Sequence, residues 1–282
     1  MFYSVKGVEK IDSQTLIYGA KTFFFDFFSK DEYDGVMKPI DKKIILSLPY
    51  PIVLSLTEET ASTNDDLKVA AKEGAKDYTV RIADRQLAGK GRKGRSFFSE
   101  GGLYMSVLLP AYDDLTLLTP TVAVAVAAAI RDLTEEDARV KWVNDVYVRG
   151  KKVCGILAES VVADNHRRVI VGIGVNLNTK EGDFPSEIRS IAGSIIADRS
   201  ALAARILNNL FRLLQEDQKR ICAEYKKLCF LIGQKVTVQK EDGCRVATVL
   251  GLTDRLALSV LYDDRQTEDL IAGEVTLRLQ NP

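Results

Sequence analysis

The sequence predicts an α+β fold, in which a central mixed β-sheet is flanked by helices and followed by a small β-barrel. Between residues 52 and 230, short apolar runs typical of strands alternate with longer segments that carry helix caps and helical spacing. After Phe230 the pattern changes to short alternating bursts separated by Gly, Asp and Asn, which is typical of a small all-β unit. The 282 residues are 46% hydrophobic, enough to bury a core in one to three domains.

Strands are predicted wherever a short apolar run lies between turn signals. Before Phe230 these are 52–56, 78–83, 103–109, 155–159 and 169–175, with short extended pieces at 140–142 and 145–148. In the C-terminal unit they are 235–239, 246–253, 257–262 and 274–279.

Helices are predicted from their capping residues. Ser62, Thr63 and Asn64 offer N-cap oxygens for a helix that ends at Gly74. Thr119 and Pro120 offer an N-cap and first position for an Ala-rich helix over 121–133. Asp198 caps a long helical region that ends near Leu228, with a possible break around Glu216.

The change of pattern near 229–232 predicts a large domain over 51–230 and a barrel over 231–282. Residues 1–50 form an N-terminal extension of unclear role, with an aromatic cluster at 21–28. A buried element that covers the core is the favoured interpretation of this cluster, and a membrane-surface anchor is the alternative.

Composition excludes several classes of function. Lys and Arg total 39, and Asp and Glu total 39, which argues against a dedicated nucleic-acid binder. The longest apolar run, near 122–130, is far short of the roughly 20 residues that span a bilayer, so no membrane partner is expected. Four scattered cysteines without a C-x-x-C pair favour a reducing, cytoplasmic location. The single histidine, His166, excludes a multi-histidine metal site and is expected in a solvated hairpin turn.

A basic glycine loop follows the second predicted strand. Residues 89–94 fit G-x-G-x-x-G, but a dinucleotide fingerprint must open a helix, and this loop leads into another strand. Lys90, Arg92, Lys93 and Arg95 place four positive charges in six residues. The favoured interpretation is a flexible lid over an anion, and a solvated basic turn is the alternative.

Three further segments combine polar and glycine residues in strand-like contexts. Lys141-Trp142-Val143-Asn144-Asp145 joins a cation, an indole, an amide and a carboxylate, although a half-buried strand with an Asn-Asp turn is equally compatible. Lys152 enters an apolar strand in which Gly155 permits close approach of a ligand. The strand Gly172-Ile173-Gly174-Val175-Asn176 carries two glycines, for which a packing explanation also stands.

These segments, in this order and with Ser62-Thr63-Asn64 and Gln86 before them, resemble the biotin protein ligases. Gly273-Glu274-Val275-Thr276-Leu277 resembles the end of that family's C-terminal barrel. The resemblance covers about residues 52–280, and it implies a class II synthetase-like sheet and an SH3-like barrel. Val143 replaces the family's usual proline, Lys90 stands where arginine is common, and Cys154 replaces a small alanine.

The resemblance implies an ATP-dependent, AMP-forming enzyme that activates biotin to biotinyl-5'-AMP and transfers it to a lysine of a biotin carboxyl carrier domain. Lys152 and Arg92 are the implied catalytic residues. The implied biotin-binding residues are Ser62, Thr63, Asn64, Gln86, Gly89, Lys90, Gly91, Arg92, Lys93, Lys152 and Gly155. The implied ATP-binding residues are Lys141, Trp142, Asn144, Asp145 and Asn176, with Asp145 as the Mg²⁺ ligand.

Three alternatives stay open: a lipoate or octanoyl transferase, a biotin-responsive repressor, and an inactive homologue that serves as a scaffold. The repressor is disfavoured because residues 1–50 lack a clear helix–turn–recognition-helix pattern. A monomer and a homodimer are both compatible with the sequence.

Overall fold

The computed structural model describes residues 15–18, 21–24, 37–112, 114–163, 165–240, 243–271 and 276–279. Near the N-terminus, β1 (Thr15–Tyr18) and β2 (Lys21–Phe24) form an antiparallel pair. Residues 25–28 of the aromatic cluster lie outside the described residues, so the predicted role of that cluster stays a prediction.

A seven-stranded mixed sheet forms the centre of the molecule. Its strands lie in the order β3-β4-β5-β9-β8-β7-β6, and β3 and β4 are its parallel pair. The bounds are β3 Val53–Thr60, β4 Thr79–Gln86, β5 Glu100–Leu109, β6 Arg139–Lys141, β7 Asp145–Val148, β8 Lys151–Ala163 and β9 His166–Val175. Every predicted strand of this region is present, and β8 extends well beyond the predicted 155–159.

Helices cover both faces of this sheet. One face packs against α2 (Thr63–Lys72) through a small cluster that includes Leu67, Leu108 and Ile170. The main core lies on the other face, and the helices there are α3 (Leu115–Thr134), α4 (Arg199–Leu213) and α5 (Gln218–Leu228), with the short α1 (Lys42–Leu46) against α4. The predicted break near Glu216 is confirmed, because α4 and α5 are separate helices.

The start of α3 differs from the prediction. Asp114, rather than Thr119, is the N-cap, and its carboxylate accepts a hydrogen bond of 3.0 Å from the backbone N–H of Thr116. Pro120 therefore lies inside the helix. It lies in the second turn, where it cannot donate the backbone hydrogen bond to the Thr116 carbonyl and its ring crowds that carbonyl.

The C-terminal unit is an antiparallel sheet in the order β13-β12-β11-β10-β14. Its strands are β10 Lys235–Lys240, β11 Gly243–Leu252, β12 Leu258–Tyr262, β13 Thr267–Leu270 and β14 Thr276–Leu279. This confirms a small all-β unit with one more strand than predicted, since β13 was missed. Gly273, Glu274 and Val275 of the C-terminal motif lie outside the described residues.

Helix α3 is long and apolar enough to cross a membrane, but 67% of its most apolar window is buried inside the fold. It therefore packs as the core helix of the main cluster. Cys154, Cys222 and Cys229 are buried thiols, and Cys244 is an exposed one. His166 is exposed, as expected, but it is the first residue of β9 and follows the hairpin turn rather than lying in it.

Candidate active site

A pocket opens on the α2 face of the central sheet, between the start of α2, the glycine loop and strands β7, β8 and β9. Nearly all of the predicted site residues line it. The lining comprises Ser62, Thr63, Asn64, Gln86, Lys90, Gly91, Arg92, Lys93, Arg95, Ser96, Phe97, Lys141, Trp142, Asn144, Asp145, Lys152, Gly155, Ile156, Leu157, Gly172, Ile173 and Gly174.

Two glycines of β9 let neighbouring side chains pack closely over the sheet in this pocket. Side chains alternate along a strand, so Gly172 and Gly174 share the face on which Ile170 packs under α2. A Cβ on Gly172 would lie far inside contact distance of the Asn64 side chain, and one on Gly174 would lie 2.5 Å from the Phe97 ring. Both glycines are therefore required by close packing, which was the alternative explanation for this motif.

At one end of the pocket, the lining residues Thr63, Asn64 and Gln86 belong to a network of uncharged polar groups. Ser99 and Ser106 lie behind the lining in the same network, and we name these five residues the neutral end. The Gln86 side-chain oxygen accepts from the Thr63 backbone N–H at 2.9 Å and from its hydroxyl at 3.1 Å. The Gln86 amide nitrogen donates to Ser99 Oγ at 3.1 Å. Ser106 Oγ lies 2.7 Å from Thr63 Oγ1 and 2.6 Å from Asn64 Oδ1, and its single proton serves one of them at a time.

Gln86 also satisfies a free backbone N–H at the start of α2. Ser62 occupies the N-cap position of α2, but its hydroxyl makes no capping hydrogen bond. The N–H that Gln86 binds is that of Thr63, the first helical residue, whereas an N-cap side chain serves the second or third. The side chain of Ser62 lines the pocket.

Charged groups surround the neutral end from outside. Glu159 accepts from the Asn64 amide at 2.8 Å and from Lys68 Nζ at 2.7 Å, and Lys68 also binds Asp65 at 3.1 Å. Burial lowers the pKa of Lys68, but the hydrogen bonds to Glu159 and Asp65 outweigh it, so this pKa lies above its usual value. Asp65 in turn forms an ion pair with Lys90 of the glycine loop.

The other end of the pocket carries three charged side chains and one amide; we name it the charged end, formed by Arg92, Asp145, Lys152 and Asn144. Lys152 Nζ lies 2.7 Å from Asp145 Oδ1. Arg92 donates to Asn144 Oδ1 at 3.1 Å, and the Asn144 amide donates to the Ile156 carbonyl at 3.1 Å. Burial lowers the pKa of Arg92, an effect that the Asp145 carboxylate partly opposes.

The glycine loop closes on itself above the pocket. Gly91 N–H donates to the Arg95 carbonyl at 2.7 Å, and Phe97 N–H donates to the Gly89 carbonyl at 2.8 Å. Lys93 and Gly94 both have positive φ, which turns the chain tightly at the tip. The ion pair from Lys90 to α2 and the hydrogen bond from Arg92 to Asn144 hold the loop across the two ends of the pocket.

The turn between β6 and β7 is anchored from two sides. Trp142 Nε1 donates to the Leu256 carbonyl of the C-terminal sheet at 2.8 Å, and the buried Tyr225 hydroxyl of α5 donates to the Val143 carbonyl at 3.1 Å. Burial is the main cause of the raised pKa of Tyr225, so this phenol stays protonated at neutral pH. These contacts present Asn144 and Asp145 to the pocket.

Two predicted residues, Gly89 and Asn176, do not line the pocket. A Cβ on Gly89 would lie 2.5 Å from Ser99 Oγ and 2.6 Å from the Phe97 carbonyl oxygen, so this glycine lets the loop pack against the segment that precedes β5. Asn176 is buried and its amide donates to the Gly193 carbonyl at 2.9 Å. Gly193 N–H donates to the Lys152 carbonyl at 2.8 Å, and Asn176 thereby supports the segment that flanks Lys152.

The sequence reasoning missed Phe97, Ser99, Ser106 and Glu159. Phe97 lies against Gly155 and Gly174, and a large side chain beside two strand glycines is visible only once the sheet order is known. Glu159 sits in the predicted strand, and its negative charge in an otherwise apolar run was an available signal. Ser106, a fully buried hydroxyl among the apolar residues of β5, was another.

Metal binding would depend on very few ligands. Among the described residues, no group of three His, Cys, Asp or Glu side chains is close enough to hold an ion. Asp145 remains a single carboxylate at the charged end. Mg²⁺ is commonly held by one or two carboxylates together with substrate phosphates, so this donor set fits a phosphate-dependent Mg²⁺ site.

The chain is similar in sequence to known ligases. The model of the biotin/lipoate A/B protein ligase family matches residues 56–176. The biotin--[acetyl-CoA-carboxylase] ligase of Mycobacterium tuberculosis is 31% identical over 237 residues, which cover 79% of this chain and 88% of that protein. The bifunctional ligase/repressor BirA of Bacillus subtilis is 38% identical over 156 residues, and these cover 52% of this chain and 46% of that protein. The chain thus spans about half the length of this relative.

A solved structure shares the same architecture. The biotin protein ligase of Aquifex aeolicus, in complex with biotin and ATP, superposes with a TM-score of 0.72 at 28% identity, over 82% of this chain and all of that one. Together with the extensive match to the mycobacterial ligase, this shows that the chain belongs to the biotin protein ligase family.

Proposed function

We propose that this protein is an ATP-dependent biotin protein ligase, which forms biotinyl-5'-AMP and transfers biotin to a lysine of a biotin carboxyl carrier domain. One observation carries the proposal: the neutral end and the charged end, with its cations Arg92 and Lys152, belong to one pocket and are bridged by one loop. Biotin has the same polarity, with a neutral ureido ring at one end and a carboxylate at the other. The relatives' names and the bound biotin and ATP of the Aquifex enzyme support the assignment.

The ureido ring belongs at the neutral end. A urea offers two N–H donors and one carbonyl acceptor, and a neutral network can match all three without burying a charge. Ser62, Thr63, Asn64 and Gln86 supply hydroxyl and amide groups there. Gly155 and the glycine loop, with Gly89, Lys90, Gly91, Arg92 and Lys93, enclose the rest of biotin.

Adenylation belongs at the charged end. A carboxylate oxygen of biotin attacks the α-phosphorus of ATP, a new O–P bond forms, and pyrophosphate leaves with the electron pair of the broken bond. Both reactants are anions, so Lys152 and Arg92 are placed to bring them together and to stabilise the charge that develops on phosphorus. Lys152 must exchange part of its contact with Asp145 for the phosphate as the substrates bind.

The nucleotide occupies the region of Lys141, Trp142, Asn144 and Asp145. Asn176 supports this region through the segment that flanks Lys152. We include Mg²⁺ in the proposal, held by Asp145 and the phosphate oxygens of ATP. When bound, the ion neutralises phosphate charge.

In the second step the acceptor lysine amine attacks the acyl carbon, an amide bond forms, and AMP leaves. No enzyme nucleophile is required, because the mixed anhydride is already activated. Closure of residues 89–97 over the adenylate shields it from water in the interval. We also propose that the C-terminal strands close into an SH3-like barrel. This barrel would form a domain over residues 231–282, after the ligase domain over 51–230.

The proposal is tested by pyrophosphate release from MgATP with biotin or lipoate, followed by transfer of labelled biotin to a purified biotin carboxyl carrier domain. We expect biotin-dependent release and labelling of the carrier lysine. Release that depends on lipoate alone would transfer the assignment to a lipoate ligase. Absence of release with either acid would leave a non-catalytic homologue.

A further inference from the structure

Glu159 has no part in the chemistry described above, yet it contacts the neutral end directly. Its side chain lies on β8 and is about one quarter exposed. One carboxylate oxygen accepts from the Asn64 amide at 2.8 Å, and the other accepts from Lys68 Nζ at 2.7 Å. Both oxygens are therefore engaged, and the negative charge is balanced by a single lysine.

This contact determines which way the Asn64 amide points. The Asn64 nitrogen donates to Glu159, with a second, longer contact of 3.4 Å to the Leu157 carbonyl. Its oxygen lies 2.6 Å from Ser106 Oγ, on the side where Gly172 leaves room. A carboxylate only accepts hydrogen bonds, so the reversed amide would place two acceptors in contact.

Asn64 is almost completely buried and lines the pocket. With its nitrogen held by Glu159 and one lone pair of its oxygen facing Ser106, the amide can offer a ligand only the remaining acceptor position of that oxygen. A pocket built in this way favours a ligand N–H over an isosteric oxygen, because the oxygen analogue would set two acceptors against each other.

We propose that Glu159 is a positioning residue that fixes the Asn64 amide and thereby makes the neutral end selective for an N–H donor of the ureido ring. The inference rests on the proposed function and deepens it. Lys68 holds the Glu159 carboxylate in place through their ion pair of 2.7 Å.

Glu159→Gln tests the proposal, because its amide nitrogen can face the Asn64 oxygen and allow Asn64 to reverse. We expect KM for biotin to rise about tenfold, with KM for ATP and kcat at saturating biotin within about twofold of the parent. The matched control is Glu59→Gln, which alters a more exposed carboxylate paired with Arg85 at 3.5 Å on β3, outside the pocket.

The decisive readout is substrate selectivity. Two cyclic carbamate analogues of biotin, each with one ureido N–H replaced by oxygen, are compared with biotin by kcat/KM in pyrophosphate release. The parent protein should reject at least one analogue by about a hundredfold, and Glu159→Gln should reduce that ratio to below tenfold. Because both substrates are measured on the same preparation, the ratio does not depend on the folded fraction of the variant.

An unchanged selectivity ratio in Glu159→Gln would overturn the assignment of Glu159 while leaving the ligase proposal intact. Failure of the parent protein to use biotin at all would instead overturn the proposed function, and this inference with it.

Discussion

The neutral and charged ends of the pocket differ in burial and in how their polar groups are stabilised. At the neutral end, Thr63, Asn64 and Ser106 are at most 4% exposed, and their polar atoms are hydrogen-bonded to one another before any ligand arrives. At the charged end, Lys152 and Asp145 keep 30% and 21% of their side chains exposed and rely on one ion pair. A fixed network of hydrogen bonds can satisfy buried neutral groups. An ion needs either an oppositely charged partner or contact with water.

The difference has a functional consequence. The neutral end is preorganised, so small steric changes there should weaken biotin binding. The charged end is arranged around an exchangeable ion pair, so loss of a cation there should affect the chemical step.

The largest expected effect is at the charged end. Lys152→Ala removes the cation that would join carboxylate and phosphate, and we expect kcat/KM for biotinyl-adenylate formation to fall by roughly 1000-fold. Pyrophosphate release measures the loss, and circular dichroism should show an unchanged fold.

The matched control is Lys151→Ala. Lys151 precedes Lys152 but pairs with Glu181 at 2.7 Å, away from the pocket lining. Activity within about twofold of the parent is expected for this control. Near-normal activity in Lys152→Ala would remove Lys152 from the mechanism.

The next largest effect is expected from a steric change at the neutral end. Gly172→Ala places a methyl group against the Asn64 side chain, and an overpacked site of this kind loses about 1–3 kcal/mol. We expect kcat/KM for biotin to fall by about 10- to 100-fold, with KM for ATP nearly unchanged. Gly182→Ala is the control, since a Cβ at Gly182 meets nothing within 4 Å. An equal loss of ATP affinity would show that the two ends are not independent.

A smaller effect is expected where the charged end is supported from behind. Tyr225→Phe removes the hydroxyl that donates to the Val143 carbonyl and leaves a buried acceptor without that bond. We expect the free energy of unfolding to fall by about 1–2 kcal/mol in urea denaturation, and KM for ATP to rise more than KM for biotin. An equal rise of both constants would mean that Tyr225 supports the whole pocket.

The smallest effect concerns the loop that joins the two ends, and it depends on pH. Burial raises the pKa of Asp65, but its hydrogen bonds to Lys90 and Lys68 outweigh this, and the pKa lies below its usual value of 3.8. A lowered carboxyl pKa stabilises the folded contact above the unfolded pKa, and that stabilisation is lost as pH falls through the folded one. We therefore expect the Lys90 contact to be constant from pH 7 to about 5 and to weaken below about pH 4.

Hydrogen exchange of the amides in residues 89–96 measures this effect, corrected for the intrinsic rate at each pH. Asp65→Asn should lower protection a few-fold at pH 7 and abolish the acid-dependent change. Asp137→Asn is the control, because the pKa of Asp137 is also lowered, by Arg139 and Arg131, but it lies outside the pocket. Acid sensitivity that persists in Asp65→Asn would assign the effect to another group.

Much of the central sheet could be predicted because its signals are local. The apolar runs of β4, β5 and β9 and the cap at Asp198 each lie within a few residues of the element that they define. The prediction failed at the start of α3, because Thr119-Pro120 is a strong local signal and Asp114 makes an even earlier cap. Strand β13 was missed because Thr267–Leu270 is polar and lacks an apolar run.

The sequence by itself determined the residue types of the site and the segments that supply them, since the glycines, the lysines and the amides appear in recognisable short motifs. Only the tertiary structure decided that Gly172 leaves room for Asn64, that Gln86 binds the Thr63 N–H at the start of α2, and that Glu159 orients an amide. Those relations join residues that are about 23 to 108 positions apart, and strand order and register bring them together. Hydrogen-bond direction depends on such neighbours, which no local pattern encodes.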